Sequence, residues 1–243
     1  VEHSGTTLLS DLFRQVPGLG SGWETGVLLA DTPAAFPKEA EHFSDFAEGW
    51  GLGEHDIEFL CAAPDFPAFY RRLAQRAGVL PPGTTRIFDK TPRYLVALKH
   101  VLGRAACPFI ATYKDPRAIL HSTWTRAGRP PVMAWLDSVE EERLGYLLSL
   151  YEQHMLHRME RRVLFMPLER LCLAAGQSCE LVFDHAGFAF DPRYLVLRGI
   201  ESRATHGSSI QAGQPFGYWM DWPKPAIRAV EMRFSVLDAW FYG

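Results

Sequence analysis

Residues 1–9 read VEHSGTTLL, and the reading of Ser4-Gly5-Thr6-Thr7 decides how the rest of the chain is understood. The four residues make a short loop that runs into the apolar, helix-like positions Leu8, Leu9, Leu12 and Phe13. A glycine-containing loop at a helix start turns backbone N–H groups and hydroxyls toward an anion, and the helix dipole adds to the attraction. The same residue types also serve as an ordinary helix cap. The nucleotide-triphosphatase pattern G-x-x-x-x-G-K-[ST] is excluded, because no lysine follows Gly5 at that spacing.

Two further segments favour the anion. Residues 110–124 read IATYKDPRAILHSTW: a strand over Ile110–Tyr113, a turn at Asp115-Pro116 and a helix from Arg117 onward. Lys114 then stands at the strand's carboxyl end and Ser122 one to two turns into the helix, a pair suited to a second phosphate. Between the two segments, Phe88-Asp89-Lys90-Thr91-Pro92-Arg93-Tyr94 sets a lysine after a short apolar run and before a proline-started helix.

In this order, the three segments resemble the sulfotransferase family, whose members move a sulfuryl group from 3′-phosphoadenosine 5′-phosphosulfate (PAPS) to an acceptor and release PAP. Ser4 to Leu9 match its 5′-phosphosulfate loop, P-[RK]-S-G-T-T-x-[LW]. Lys114-Asp115-Pro116-Arg117 with Ser122 match its 3′-phosphate motif, R-D-P-R-x-x-x-x-S, with lysine for the first arginine, and Lys90-Thr91-Pro92 match its K-[STD]-P segment. The resemblance is clear over residues 1–125 and loose beyond. It departs from the pattern at His3, where lysine or arginine is usual, and at Glu2, where proline is.

The resemblance implies roles. Ser4, Gly5, Thr6 and Thr7 would hold the 5′-phosphosulfate, Lys114 and Ser122 the 3′-phosphate, and Arg117 would anchor that loop through Asp115. Lys90 would stand on the leaving-group side, where a plain solvated lysine at a helix start is the alternative. His3 would be a leaving-group acid, a neutral donor or a bystander. Glu24 stands 21 residues after His3, in Trp23-Glu24-Thr25; the tyrosylprotein and heparan branches place a glutamate near there, which makes Glu24 the candidate base. Asp89 and a histidine such as His42 or His55 compete with it, and Asp89 is expected to pair with a cation instead. Arg198, Arg203, Ser208 and Ser209 lie where the family closes a loop over its cofactor. No metal is implied.

Bulk properties agree. The 243 residues carry a formal net charge of −3, which argues against a nucleic-acid partner. They suffice to bury the core of one α/β domain, and no apolar run has spanning length. Cys61, Cys107, Cys172 and Cys179 show no metal spacing, which points to thiols in a reducing compartment, the cytoplasm. A phosphate loop of this kind follows a strand, and only Val1 and Glu2 precede it here, so upstream residues are expected.

Strand and helix candidates alternate, so the expected architecture is one α/β domain over residues 1–243: three layers, a central parallel sheet with a P-loop, and helices on both faces. Pro17–Ser21 reads as a turn, Glu24–Leu29 as a short strand or loop edge, and Ser138–Arg161 as the longest helix. Residues 33–66 read as an irregular, aromatic insert on the acceptor side, and 198–213 as the cofactor-closing loop. The aromatic content favours a small hydroxylated acceptor over a sulfated polysaccharide, with carbohydrate and peptidyl tyrosine open. Two other readings remain: a P-loop small-molecule kinase, which would need a metal, and a silent PAP-binding module.

Overall fold

The computed structural model describes residues 4–38, 40–139, 141–197 and 210–237, the side chains of 40–42 and 214 excepted. They form an α/β fold with parallel strand pairing, in two compact units: Thr6–Cys107 with Leu197, and Ser4 and Gly5 with Pro108–Val196 and residues 210–237.

The first unit begins with α1 (Thr6–Phe13), whose Leu8, Leu9, Leu12 and Phe13 are buried. Where a turn was expected the chain makes β1 (Leu19–Gly20), parallel to β2 (Arg86–Ile87) in the register Leu19↔Arg86, Gly20↔Ile87. Two residues carry no periodicity by which a strand is recognised. Gly20 packs closely there: a Cβ would press on the Leu80 and Thr84 side-chain tips at 2.9 Å and 3.1 Å. The expected strand edge before Leu29 is a 3₁₀ turn over Val27–Leu29, entered through Gly26 at φ 67°. A left-handed residue at that point suits glycine alone among common choices.

The aromatic insert packs mostly inward. It contains α2 (Ala40–Trp50) and α3 (Glu54–Cys61), and Phe36, Phe46 and Trp50 are fully buried. They meet Phe69 of α4 (Phe66–Arg76), with ring centroids 5.2 Å apart for Phe36–Phe46 and 5.9 Å for Phe46–Phe69. Asp65 caps α4 by accepting from Ala68 N at 2.7 Å, and Phe66, Phe69 and Leu73 line its buried face at helical spacing. The helix expected after Pro92 is split into a 3₁₀ turn, Pro92–Leu95, and α5 (Leu98–Leu102).

The second unit is built on β3 (Phe109–Tyr113). Asp115 caps α6 (Pro116–Arg126), and α7 (Val132–Ser138) and α8 (Glu141–His157) follow; α8 is shorter than the sequence implied. β4 (Val163–Pro167) pairs in parallel with β3, Phe109↔Val163 through Tyr113↔Pro167. Then come α9 (Leu168–Leu173), α10 (Ala175–His185), α11 (Gly217–Asp221) and α12 (Lys224–Arg233). The His185 ring Nε2 lies 3.0 Å from Phe109 O and 3.1 Å from Arg162 O, tying α10 to the start of both strands.

Candidate functional site

In both units the candidate residues sit just past the carboxyl ends of a parallel strand pair, where open α/β sheets place their ligands. β1 leads into Ser21-Gly22-Trp23-Glu24 and β2 into Phe88-Asp89-Lys90. Because the two strands run in parallel with matched ends, both charges emerge on the same side. Lys90 Nζ donates to Glu24 Oε1 at 2.5 Å, and both side chains are mostly buried. Glu24 Oε2 receives no hydrogen bond from the described residues. The Lys90 ammonium also lies 5.0 Å from the centroid of the Trp23 ring, within cation–π range. The Trp23 main chain is fixed on α2: its N–H donates to Gly49 O at 3.1 Å, and Trp50 Nε1 donates to its carbonyl at 2.8 Å. Its indole is nonetheless half exposed beside the ion pair.

Asp89 does not pair with a cation among the described residues. It accepts instead from hydroxyls: Tyr70 at 2.6 Å, Tyr94 at 2.7 Å, Thr91 at 2.8 Å, and Thr25. Burial, and then the Asp89 charge, push both tyrosines well above their ordinary range, so they remain donors. Sequence reasoning missed Thr25, Tyr70 and Tyr94. Tyr70 beside the buried Phe69 reads as one more core aromatic, and only the fold shows where its hydroxyl points. Of the competing histidines, His55 is fully exposed on α3, and the His42 side chain lies outside the described residues, as does His3.

In the second unit, β3 leads into Lys114-Asp115-Pro116-Arg117 and β4 into Leu168-Glu169. Asp115 N–H donates to Glu169 Oε1 at 2.8 Å, and the Tyr151 hydroxyl donates to Lys114 O, so the loop backbone is held from two helices. Arg117 grips Asp115, with Nε 2.9 Å and 3.0 Å from its two carboxylate oxygens, and gives Nη1 to Glu231 at 2.6 Å. These contacts, above all the Asp115 hydrogen bond, raise its already high pKa. Arg117 is therefore committed to holding the loop.

Lys114 is different. Its side chain is mostly buried with the ammonium at the edge of solvent, and that ammonium makes no hydrogen bond or ion pair with the described residues. Burial pushes it down to about 8, with Glu169 pulling the other way. A buried cation without an acceptor is costly unless something anionic arrives. Ser122 is half buried on α6, two turns in from Lys114. Ser4 is buried and Gly5 has φ 84°, a left-handed backbone that favours glycine, and a Cβ there would come within 2.6 Å of the Leu168 Cδ1 methyl. Thr6 and Thr7 open α1 and are half buried.

Two solved structures share this architecture. The sulfotransferase domain from the Synechococcus PCC 7002 olefin synthase superposes with a TM-score of 0.60 over 94% of this chain and 90% of its own, at 20% identity. The sulfotransferase domain from the curacin biosynthetic pathway gives 0.59 over 96% and 94%, at 15% identity. This chain has the sulfotransferase fold. No protein-family profile matches it, and no curated protein matches it in sequence. Among the described residues of this sulfotransferase fold, no group of His, Cys, Asp and Glu is placed to hold a metal ion, and no helix is long and apolar enough to cross a membrane. Its four cysteines form no disulfide.

Proposed function

We propose that this chain is a PAPS-dependent sulfotransferase that sulfates a hydroxyl of a small-molecule, carbohydrate or tyrosyl acceptor, with Glu24 as general base. The observation that carries the reading is the pairing of Glu24 with Lys90 at 2.5 Å, from segments that the fold alone brings together.

Lys114 lets the fit of the donor be judged. A mostly buried Lys114 side chain with no described acceptor, and a Ser4-Gly5 loop that turns left-handed at Gly5 just before α1, suit a phosphorylated nucleotide carrying several negative charges. Ser4, Gly5, Thr6 and Thr7 would hold its 5′ end and Lys114 and Ser122 its 3′-phosphate, on a loop braced by Arg117. PAPS, when bound, supplies the sulfuryl group and leaves as PAP. Glu24 Oε2 takes the acceptor hydroxyl's proton as its oxygen attacks. Lys90 holds that carboxylate in one orientation and supplies positive charge where negative charge develops. His3, one residue before the loop, would add a second donor there. Such chemistry is mainly positioning and electrostatics, as in phosphoryl transfer.

Transfer of labelled sulfate from PAPS to a panel of phenols, alcohols and sugars, with EDTA present, tests the reading. Labelled product that persists in EDTA supports it. Metal-dependent consumption of ATP in place of PAPS points to a kinase, and PAP binding without transfer to a silent module.

A further inference from the structure

The Asp89 carboxylate offers about four lone-pair sites and receives five donors. The four hydroxyls of Tyr70, Tyr94, Thr91 and Thr25 are joined by Thr25 N–H at 3.3 Å. An ionised carboxylate has no proton to give, so a hydroxyl that donates to Asp89 offers only lone pairs to its other neighbours; Thr25 Oγ1 and Tyr94 Oη also lie 2.9 Å apart, where either can be the donor. Three of those neighbours are backbone N–H groups at the start of the 3₁₀ turn after Glu24. Gly26 N–H donates to Thr91 Oγ1 at 3.2 Å, Val27 N–H to Thr25 Oγ1 at 3.3 Å, and Leu28 N–H to Tyr94 Oη at 3.3 Å. These are the N–H groups that a helical turn leaves without partners at its own start. One carboxylate thus sets the direction of three hydroxyls, and through them fixes the segment that carries Glu24. The same carboxylate precedes Lys90 in the chain, and Thr91 follows it.

We propose that Asp89 is a positioning residue: through Thr25 and Thr91 it locks the two segments that bring Glu24 and Lys90 together. It touches neither charged group. The proposal rests on the sulfotransferase reading only for its consequence in catalysis; the locking of the ion pair stands by itself.

An asparagine at this position turns an amide N–H₂, itself a donor, toward hydroxyls that donate there, so donor faces donor, and it halves the acceptor capacity. The test uses the full chain with Asp89→Asn, Thr91→Val and Thr91→Ser, each first shown to melt cooperatively. The first readout is the Lys90 ammonium ¹H–¹⁵N signal, assigned by its loss in Lys90→Arg. A fixed ion pair gives a resolved signal. It is expected in the parent and in Thr91→Ser, and broadened or lost in Thr91→Val and Asp89→Asn. The second readout is PAP released from PAPS with phenol as probe acceptor. Turnover is expected to fall about 100-fold in Asp89→Asn, the scale for misplacing a reacting group by about 1 Å, with PAP affinity within about twofold of the parent and with recovery in Thr91→Ser relative to Thr91→Val. Folded Asp89→Asn and Thr91→Val proteins that keep a sharp Lys90 signal overturn the proposal. A parent that transfers nothing, but whose Lys90 signal depends on Asp89 as described, removes the sulfotransferase reading and leaves the positioning intact.

Discussion

Past β1 and β2 a lysine meets its carboxylate; past β3 and β4 a lysine is buried without one. Lys90 is held by Glu24 at 2.5 Å and flanked by the Trp23 ring, whereas Lys114 pairs with no described residue and is pushed down to about 8. In the second loop the ion pairing is done by Arg117, which takes Asp115 and Glu231 and leaves Lys114 unmatched. The contrast separates two uses of the same residue type. On the proposed reading, the matched lysine orders the carboxylate that would take a proton, and the unmatched lysine carries a charge that an anionic ligand would relieve.

The largest expected effect breaks the matched side. Glu24→Gln should lower single-turnover transfer by about 10²–10⁴-fold, the usual weight of a general base, while PAP affinity stays within about twofold. Full activity in that variant would remove Glu24 from the mechanism.

Lys114→Met acts on the unmatched side and should move affinity and stability in opposite directions. PAP binding should weaken by about 1–3 kcal/mol, the worth of a charge-assisted contact. The ligand-free protein should melt higher at pH 7, because a buried charge held near pH 8 against an ordinary value of about 10.4 costs on the order of 3 kcal/mol. Calorimetry and thermal melting read the two effects; a lower melting temperature would mean that Lys114 has a partner in the ligand-free fold.

The same lysine gives the pH dependence its sign. Below pH 8 the ammonium is charged in both the folded and the unfolded chain, and the burial cost is fully present. Between about pH 8 and 10.4 the folded chain releases the proton and the unfolded chain keeps it, so this group makes stability rise with pH across that window. Binding runs the other way. A bound 3′-phosphate holds the proton on, so PAP affinity should decline above pH 8 by up to about tenfold per pH unit, and the decline should vanish in Lys114→Met. The smallest effect is expected for Ser122→Ala, a loss of about 0.5–1.5 kcal/mol in PAP binding, as for one neutral hydrogen bond, with turnover at saturating PAPS unchanged.

The two sides also differ in how much the sequence revealed. Around Lys114 a five-residue apolar strand, an Asp-Pro helix start and a serine one helix face away are local signals, and β3, α6 and the Arg117–Asp115 pair all follow from neighbours in sequence. Around Lys90 the arrangement depends on contacts between residues more than sixty positions apart. β1 is two residues long and reads as a turn, so its register with β2, which makes Glu24 meet Lys90, leaves no periodic trace. The Asp89 cluster hides for a different reason: Tyr70 and Tyr94 look like core aromatics, and only the fold turns their hydroxyls onto one carboxylate. Phe36, Phe46 and Trp50 of the aromatic insert are core residues, as buried aromatic rings commonly are.

Calorimetric titration with PAP, and with ADP alongside, tests the central claim most directly. Nanomolar-to-micromolar binding of PAP with much weaker binding of ADP is the predicted result, because ADP carries its second phosphate on the 5′ chain and lacks the 3′-phosphate assigned to Lys114 and Ser122. Equal affinity for both, or none for either, would contradict the account.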